Sequence, residues 1–193
     1  MLEGFSCRYR LLPNGARQIL SLQLPGDFCD LHSFLLKTMD HSIAAVSTCK
    51  VAKISHDRIY EITERFPRLT RALWWDVAID GAIFREWMVS MGRRSAYQQM
   101  AHLICELLLR LRSVGLTDDD SYDMPPTQTE LGDALGLSTV HVNRVLQELR
   151  GNGLITLKGK RLTIIDLEGL KKAAGFTPGY LHLRGVSGSS PQT

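Results

Sequence analysis

Near the amino terminus, apolar and polar residues alternate in the way that is typical of short β-strands. Residues 5–12 and 17–24 show this alternation, and the turn signal Pro13-Asn14-Gly15 separates them, so they predict a β-hairpin. The apolar runs 43–46 and 49–54 predict two further strands. Antiparallel β structure is therefore expected over roughly the first 55 residues.

The apolar residues of the next segment, from Ser55 to Met91, are spaced as in helices. Ser55 is a candidate cap for a short helix that ends before Pro67. After Pro67, residues from Thr70 to Met91 fall on alternating steps of three and four, like a coiled-coil seam that packs against a partner helix. Trp75, Ile79 and Ala82 form a second apolar stripe on another side. Because two apolar sides need two partners, we predict a homodimer; the alternative is a buried helix of a monomer. The predicted dimer interface consists of Leu73, Val77, Asp80, Phe84, Trp87 and Met91.

An amphipathic helix is expected over residues 94–112, followed by a polar linker at Asp118-Asp119-Asp120-Ser121. Thr127-Gln128-Thr129-Glu130 is a capping box, which starts a helix at Gln128. Gly136 permits a sharp turn, and Ser138 caps a second helix that runs to about residue 150. The pattern predicts two short helices joined by a glycine turn.

A hairpin with a basic tip comes next. The apolar runs 154–157 and 162–165 flank Lys158-Gly159-Lys160-Arg161. Two capped helices and a basic hairpin, in this order and within about 40 residues, predict a winged helix-turn-helix. The inward side of its second helix is apolar, and the outward side suits a DNA groove. The residues predicted to contact DNA are Thr127, Gln128, Ser138, Thr139, His141, Asn143, Arg144, Gln147, Lys158 and Lys160.

Composition narrows the class of protein. The chain has 193 residues, of which 44% are hydrophobic and 22% charged, so two modest soluble domains are expected. No apolar run approaches the ~20 residues of a membrane helix, and no secretory signal is visible at the amino terminus, which favours a cytoplasmic protein. The four cysteines form no C-x-x-C pair, which argues against a zinc knuckle, and we predict neither a metal site nor a cofactor.

Residues 127–165 resemble the DNA-binding domain of the Crp/Fnr family of bacterial transcription regulators. Leu24-Pro25-Gly26-Asp27-Phe28 resembles the glycine turn of the family's cyclic-nucleotide-binding β-roll, residues 52–55 resemble its last strand, and residues 93–96 resemble the opening of the DNA-binding domain. The resemblance implies an α+β fold with a partial β-roll (jelly roll), a long dimerisation helix and a carboxy-terminal winged helix-turn-helix. The expected domains are a partial β-roll at 1–64, the dimerisation helix at 65–91, the DNA-binding domain at 92–176 and a flexible tail at 177–193.

The function that the resemblance implies is sequence-specific regulation of transcription. A homodimer would bind a palindromic operator in double-stranded DNA through a recognition helix in the major groove, with RNA polymerase as a further partner and with neither a membrane partner nor an enzymatic activity. One alternative is a cropped dimerisation partner that does not itself bind DNA. Another is a cupin-type metalloenzyme with Asp30, His32 and His41 as ligands, but their spacing does not reproduce a His-x-His pattern.

The chain departs from the family in its amino-terminal part. Family members have a helix and several strands before the segment that matches residues 2–5, so the β-roll is expected to be incomplete, either through a start codon placed too late or in a genuine short form. His41-Ser42 stands where cyclic-AMP-binding members have an Arg-Ser pair for the phosphate. Because an imidazole cannot make the bidentate contact of an arginine, cyclic AMP is not expected to bind.

The second helix of the helix-turn-helix also departs. Thr139-Val140 stands where the best-studied members have an Arg-Glu pair, whose glutamate accepts from a cytosine amino group. Arg144 matches the family's second arginine, which is positioned to reach guanine O6 and N7. The operator is therefore expected to differ from theirs while retaining a guanine for Arg144.

Overall fold

The structure is a computed structural model and describes residues 1–36 and 38–183. Within them a small β-sheet comes first, a long helix follows, and a helical domain with a second small sheet completes the chain, which confirms the predicted α+β class. The strands are β1 (Ser6–Leu11), β2 (Arg17–Gln23), β3 (Ser42–Ala45), β4 (Ser121–Asp123), β5 (Ile155–Lys158) and β6 (Arg161–Ile164); the helices are α1 (His56–Arg65), α2 (Pro67–Arg93), α3 (Ala96–Ser113), α4 (Gln128–Leu135), α5 (Thr139–Gly151) and α6 (Leu167–Ala174); and 3-10 turns cover Leu31–Phe34 and Pro178–Leu181.

The first sheet has β1 at its centre, with β2 and β3 antiparallel on either side. The predicted β1–β2 hairpin is confirmed. Cys7 on β1 and Ile19 and Leu22 on β2 are fully buried, which places the core on one side of this sheet. A hydrophobic side is what the alternation of apolar and polar residues along the two strands requires.

The strand predicted at residues 49–54 is wrong. Lys50 makes an isolated bridge to Glu3, and Val51 and Ile54 are about half exposed outside any ladder of the described residues. An apolar run alone does not make a strand, because the backbone also needs a neighbour to pair with.

The two helices that follow lie on either side of Pro67, as predicted, although α2 begins at Pro67 and runs through Gly92 to Arg93 rather than covering residues 65–91. α1 begins directly after Ser55, although the Ser55 side chain accepts no capping hydrogen bond. α2 carries Pro67 in its first turn, where the missing N–H has no partner to lose. α2 has 27 residues and is therefore about 40 Å long. Neither α2 nor another helix of the described residues is both long and apolar enough to cross a membrane.

One side of α2 packs against the rest of its own chain. Ala82, Ile83 and Trp87 are buried there, and the Trp87 Nε1 donates to the Glu106 carboxylate of α3 at 3.1 and 3.2 Å. The prediction that Trp87 belongs to a dimer interface is therefore wrong. Asp80 is half-buried and pairs with Arg8 of β1 within the same chain, so it too faces inward rather than toward a partner.

The opposite side of α2 is exposed and apolar. Of the positions predicted for the interface, Val77, Phe84 and Met91 are exposed and Leu73 is half-buried. The other members of this row differ from the prediction. In place of Leu73, Asp80 and Trp87, the row contains the residue that follows each of them, namely Trp74, Gly81 and Met88. This row, which we call the outer row, is Trp74, Val77, Gly81, Phe84, Met88 and Met91, all of them exposed except the half-buried Gly81.

The carboxy-terminal domain is built around α3. Met100, Ile104 and Leu107 of this helix have no exposed surface. A three-stranded antiparallel sheet of order β4-β6-β5 lies in the same domain. The predicted polar linker ends earlier than expected, since Ser121 already pairs with Thr163 in β4–β6. Tyr122, the next residue, anchors this strand, because it is fully buried and its hydroxyl donates to the Ile104 carbonyl at 3.0 Å.

The prediction of a flexible tail from residue 177 is wrong for its first residues. Pro178–Leu181 forms a 3-10 turn, in which Leu181 is buried and the Tyr180 hydroxyl donates to Glu106 Oε2 at 2.8 Å. The rest of the predicted tail, residues 184–193, lies outside the described residues.

Candidate nucleic-acid interface

Helix α4 begins with the predicted capping box. The Glu130 amide donates to Thr127 Oγ1 at 3.2 Å, and the Thr127 amide donates to Glu130 Oε2 at 2.8 Å. These reciprocal bonds satisfy amides that a helix start otherwise leaves without partners. The side chain of Thr127, predicted to contact DNA, is thus engaged in fixing the start of α4, and its residue remains exposed.

A close turn joins α4 to α5. Gly136 ends α4 in the left-handed conformation, with φ of 68°, which glycine adopts at little cost. The Leu137 amide donates to the Gly132 carbonyl at 3.0 Å, and a Cβ added at Gly132 would lie 2.5 Å from the Leu137 carbonyl oxygen. A side chain at Gly132 would therefore push the two helices apart, so both glycines set the angle at which α5 is presented.

Helix α5 has one buried and one exposed side. Ser138 caps it, with Oγ accepting from the His141 amide at 3.2 Å. The buried side is apolar: Val142 and Leu149 have no exposed surface. The exposed side is mainly polar, and His141 lies half-buried at its edge. Its exposed residues include the predicted positions Thr139, Asn143, Arg144 and Gln147, together with Val140, Glu148 and Arg150.

The predicted residues of the two helices meet at one point. Asn143 Nδ2 on α5 donates to Gln128 Oε1 at the start of α4, with a distance of 3.3 Å. The bond orients both amides and joins the amino-terminal end of α4 to the exposed side of α5.

The hairpin after α5 is the predicted wing. Lys158 pairs with Arg161, so Gly159 and Lys160 form a two-residue turn, and Gly159 has φ of 59° as such turns require at their first position. The Lys160 carbonyl accepts from the Met124 amide at 2.8 Å, which fixes the tip to the segment before α4. The side chains of Lys158 and Lys160 are exposed.

Cations in this domain fall into two groups. Arg161 is held by Asp118 and by Asp123, the latter at 3.2 Å. Arg144, Lys158 and Lys160, in contrast, form no ion pair with any carboxylate of the described residues. We call the exposed residues of α5 together with Lys158 and Lys160 the α5–wing surface. Cations that form no ion pair are those that can exchange counterions for phosphates.

A buried polar network that the sequence did not indicate supports this surface. Glu106 of α3 is fully buried and accepts from Trp87, from Tyr180 and, at 3.1 Å, from Arg110. Burial raises the pKa of Glu106, and the Arg110 charge opposes that rise. Arg110 in turn donates to Asp27 Oδ2 at 2.7 Å. The network joins α2, α3 and the carboxy-terminal turn to the Pro25-Gly26-Asp27 turn of the first domain.

A second contact joins the first sheet to the helix-turn-helix. Arg17 Nε of β2 donates to Asp133 Oδ2 of α4 at 2.7 Å, and Gln18 Nε2 donates to the Ala134 carbonyl at 3.4 Å. The residues involved are more than a hundred positions apart in the sequence, and no local motif marks them.

The residues considered for a cupin-type metal site do not converge. Asp30 is exposed, and the rings of His32 and His41 lie 5.6 Å apart. His41 Nδ1 bonds to its neighbour Asp40 Oδ1 at 2.8 Å. Within residues 1–36 and 38–183, no three histidine, cysteine or acidic side chains are placed to hold a metal ion.

Comparison with known proteins agrees with this geometry. Residues 98–173 match the family model of the Crp-like helix-turn-helix domain. The nitrogen fixation regulation protein FixK of Bradyrhizobium diazoefficiens is 32% identical over 174 residues, which cover 86% of this chain and 69% of FixK. The transcriptional activator protein anr of Pseudomonas aeruginosa is 28% identical over 161 residues, covering 83% of this chain and 66% of that protein. The chain thus spans about two thirds of the length of these relatives.

Solved structures show the same fold at lower identity. The structure of FixK2 from Bradyrhizobium japonicum has a TM-score of 0.74 and 22% identity, with 89% of this chain and 84% of that chain covered. The structure of a CooA mutant from Carboxydothermus hydrogenoformans has a TM-score of 0.67 and 16% identity, with 90% of this chain and 76% of that chain covered. These likenesses extend over the first sheet, α2 and the helix-turn-helix together.

Proposed function

Since the chain belongs to the Crp/Fnr family of bacterial transcription regulators and is a DNA-binding regulator of transcription, we propose that a homodimer of it binds an inverted-repeat operator. Helix α5 enters the major groove, and the wing lies along the phosphate backbone. Arg144 contacts guanine, with Asn143 and Gln147 as further base-contacting side chains, while Thr139 and the amino-terminal end of α4 approach the phosphates. The bound protein acts in the cytoplasm, with RNA polymerase as its partner.

The observation that carries this proposal is the state of the cations on the α5–wing surface. Arg144 lies on the exposed side of α5 and has no carboxylate partner among the described residues, so its guanidinium is available for the O6 and N7 acceptors of guanine. Lys158 and Lys160 are equally free at the wing tip. A base-contacting arginine flanked by phosphate-contacting lysines is the division of roles found in protein–DNA interfaces.

The experiment begins with selection of bound sequences from random DNA duplexes by the purified homodimer. For the selected operator, Arg144→Ala should cost about 1 to 3 kcal/mol per contact and relax the preference at one base position of each half-site. Lys158→Ala and Lys160→Ala should instead weaken operator and scrambled DNA about equally and lower the salt dependence by about one unit per lost contact.

Lys172→Ala is the matched control, because Lys172 is an exposed lysine of the same domain on α6, away from α5 and the wing. It should leave affinity and salt dependence unchanged. If Arg144→Ala weakens operator and scrambled DNA by the same factor, Arg144 is a phosphate contact and the base-contacting role passes to His141 or Asn143. A pure homodimer that selects no sequence would support the alternative of a dimerisation partner without DNA binding.

The homodimer itself is proposed to form through the outer row of α2. Trp74 is 74% exposed, Met88 59% and Phe84 44%. Large apolar side chains that repeat at steps of three and four along an exposed helix are the pattern by which two helices pack as a coiled coil.

A further inference from the structure

Val140 is the most exposed of the large apolar side chains in the described part of the chain, at 81%. It occupies the second position of α5, directly after the capped start at Ser138. An isopropyl group in water contributes nothing to folding, and the buried side of α5 is already supplied by Val142 and Val145. The side chain of Val140 is therefore available for a contact outside the folded chain.

The helix geometry places Val140 in the middle of the polar side of α5. At about 100° per residue, Val140 lies within ~40° of Arg144 and ~20° of Gln147, and on the side opposite the buried Val142 and Leu149. Side chains three and four residues apart are neighbours on a helix surface, so Asn143 and Arg144 both flank Val140. An apolar group is thus surrounded by the side chains proposed to contact bases.

The chemistry of the major groove restricts what such a group can contact. The isopropyl group has neither a donor nor an acceptor, and the edges of the base pairs in the groove are polar except for the 5-methyl group of thymine. A β-branched side chain in a helix has one strongly preferred rotamer. The methyl groups of Val140 are therefore held in one position, and little side-chain freedom is lost when they are buried.

We propose that Val140 is a specificity-determining residue that contacts the 5-methyl group of a thymine in the half-site. Side chains at i and i+4 are ~5–6 Å apart on the helix surface, and base pairs are spaced by ~3.4 Å, so this thymine lies within about two base pairs of the guanine contacted by Arg144. The inference rests on the proposed function and adds a base that the cations of the α5–wing surface do not specify.

The test uses deoxyuridine, which has the hydrogen-bonding edge of thymine but lacks the methyl group. In the selected operator, each thymine of the half-site is replaced singly by deoxyuridine, in both half-sites, and the affinity of the full-length homodimer is measured. At one position the substitution should weaken binding by roughly 3- to 5-fold per half-site, as expected for one lost methyl contact. Val140→Ala should bind the thymine and deoxyuridine operators with nearly equal affinity.

Two variants serve as controls. Val140→Thr keeps the branched shape and one methyl group, so part of the deoxyuridine penalty should remain. Arg144→Ala should lose its guanine preference but keep the penalty at the thymine. Because Val140 is exposed and alanine is a good helix former, Val140→Ala should fold normally, as checked by circular dichroism.

The inference is overturned if the selected operator has no thymine near the guanine, if no deoxyuridine position weakens the wild type, or if Val140→Ala retains the full penalty. In each of these cases the wild type still binds a selected operator, so the proposed function stands. If the wild type selects no sequence at all, the proposed function fails and the inference fails with it. The two failures are thereby distinguished.

Discussion

Arg144 and Arg161 differ in whether their guanidinium groups are paired with carboxylates, and this determines which of them can bind DNA. Arg161 begins strand β6, and its charge is offset by Asp123 on the adjacent strand β4 and by Asp118 shortly before that strand. It ties the wing to the segment before α4. Arg144 forms no such ion pair within the described residues, so its charge is available to a ligand. Counting basic residues between 144 and 161 overestimates the charge offered to DNA, because only part of that charge is free.

His102 is a residue whose protonation should limit stability in acid. It lies on α3 with 2% of its surface exposed and contacts the rings of Phe176 and Tyr180. Its Nε2 lies 3.3 Å from Glu86 Oε1. Burial, reinforced by the charge of Arg94 and opposed by Glu86, lowers the pKa of His102 to about 4 from its usual 6.5. The imidazole is thus neutral in the folded protein at neutral pH.

The sign of the pH dependence follows. Above pH 6.5 the imidazole is neutral in both the folded and the unfolded chain, so its full contribution is present. As the pH falls from 6.5 toward 4, His102 becomes protonated in the unfolded chain but stays neutral in the folded chain. The free energy of unfolding should therefore fall by about 1.4 kcal/mol per pH unit because of His102. His102→Gln should remove this slope. Urea unfolding of both proteins at pH about 7, 6 and 5 measures it, and equal slopes would show that His102 is accessible to protons in the folded state.

Among the elements, α2 shows most clearly what a local pattern leaves undecided. The row through Leu73, Asp80 and Trp87 and the row one residue later are adjacent on the helix. The first of these rows faces inward because Trp87 bonds to Glu106, 19 residues away in the sequence, and Asp80 bonds to Arg8, 72 residues away. Spacing along α2 identified a long amphipathic helix, but the rotation of that helix depends on these distant partners.

The helix-turn-helix is the opposite case. The capping box of α4, the Ser138 cap of α5, the glycine turn and the wing turn are each determined by residues within a few positions of one another. Local chemistry of this kind is visible in the sequence, so α4, α5 and the wing were predicted with nearly the observed limits. The strand β4 was missed because its pairing with β6 spans about 40 residues, and the contact of Arg17 with Asp133 was missed for the same reason.

The outer row gives a test of the dimer at the level of this helix. Phe84→Glu combined with Met88→Glu should yield a folded monomer, because burying two unpaired charges in an apolar interface costs several kcal/mol. Sedimentation should show that the affinity between the two subunits falls by at least ~100-fold. The thermal stability of the monomer should be retained, since both side chains are exposed in the single chain.

Arg93→Glu is the control for that variant, because Arg93 is an exposed residue in the last turn of α2 and, at about 100° per residue, lies on the side of the helix opposite Phe84. It should remain dimeric. A double variant that still sediments as a dimer would place the interface elsewhere, whereas a Trp87 substitution is uninformative, since Trp87 is part of the buried network of its own chain.

For the whole molecule, the contacts between its parts fix how α5 is presented. The Asp27–Arg110–Glu106 network and the Arg17–Asp133 pair hold the DNA-binding domain to the first sheet and to α2. If the dimer forms along α2, the distance and angle between its two α5 helices follow from these contacts. The same geometry must then be found in the operator, because a twofold protein binds a twofold site.

The operator should therefore consist of two inverted half-sites whose centres are about 34 Å apart, one turn of the double helix. Inserting about five base pairs between them moves one half-site to the opposite side of the duplex, and affinity should fall to that of a single half-site. Titration of the homodimer with the selected operator, the expanded operator and an isolated half-site measures this. Equal affinity for the first two would indicate that the domains move freely within the dimer.

The three tryptophans all lie on α2, in two different environments. Trp74 and Trp75 are 74% and 52% exposed, whereas Trp87 is 6% exposed and bonded to a carboxylate. None of them belongs to the α5–wing surface. If the dimer forms along the outer row, the intrinsic fluorescence of Trp74 should change on association, whereas that of the buried Trp87 should not, and DNA bound at the α5–wing surface should leave both unchanged. The protein would then report its assembly without a label and separately from its binding to DNA.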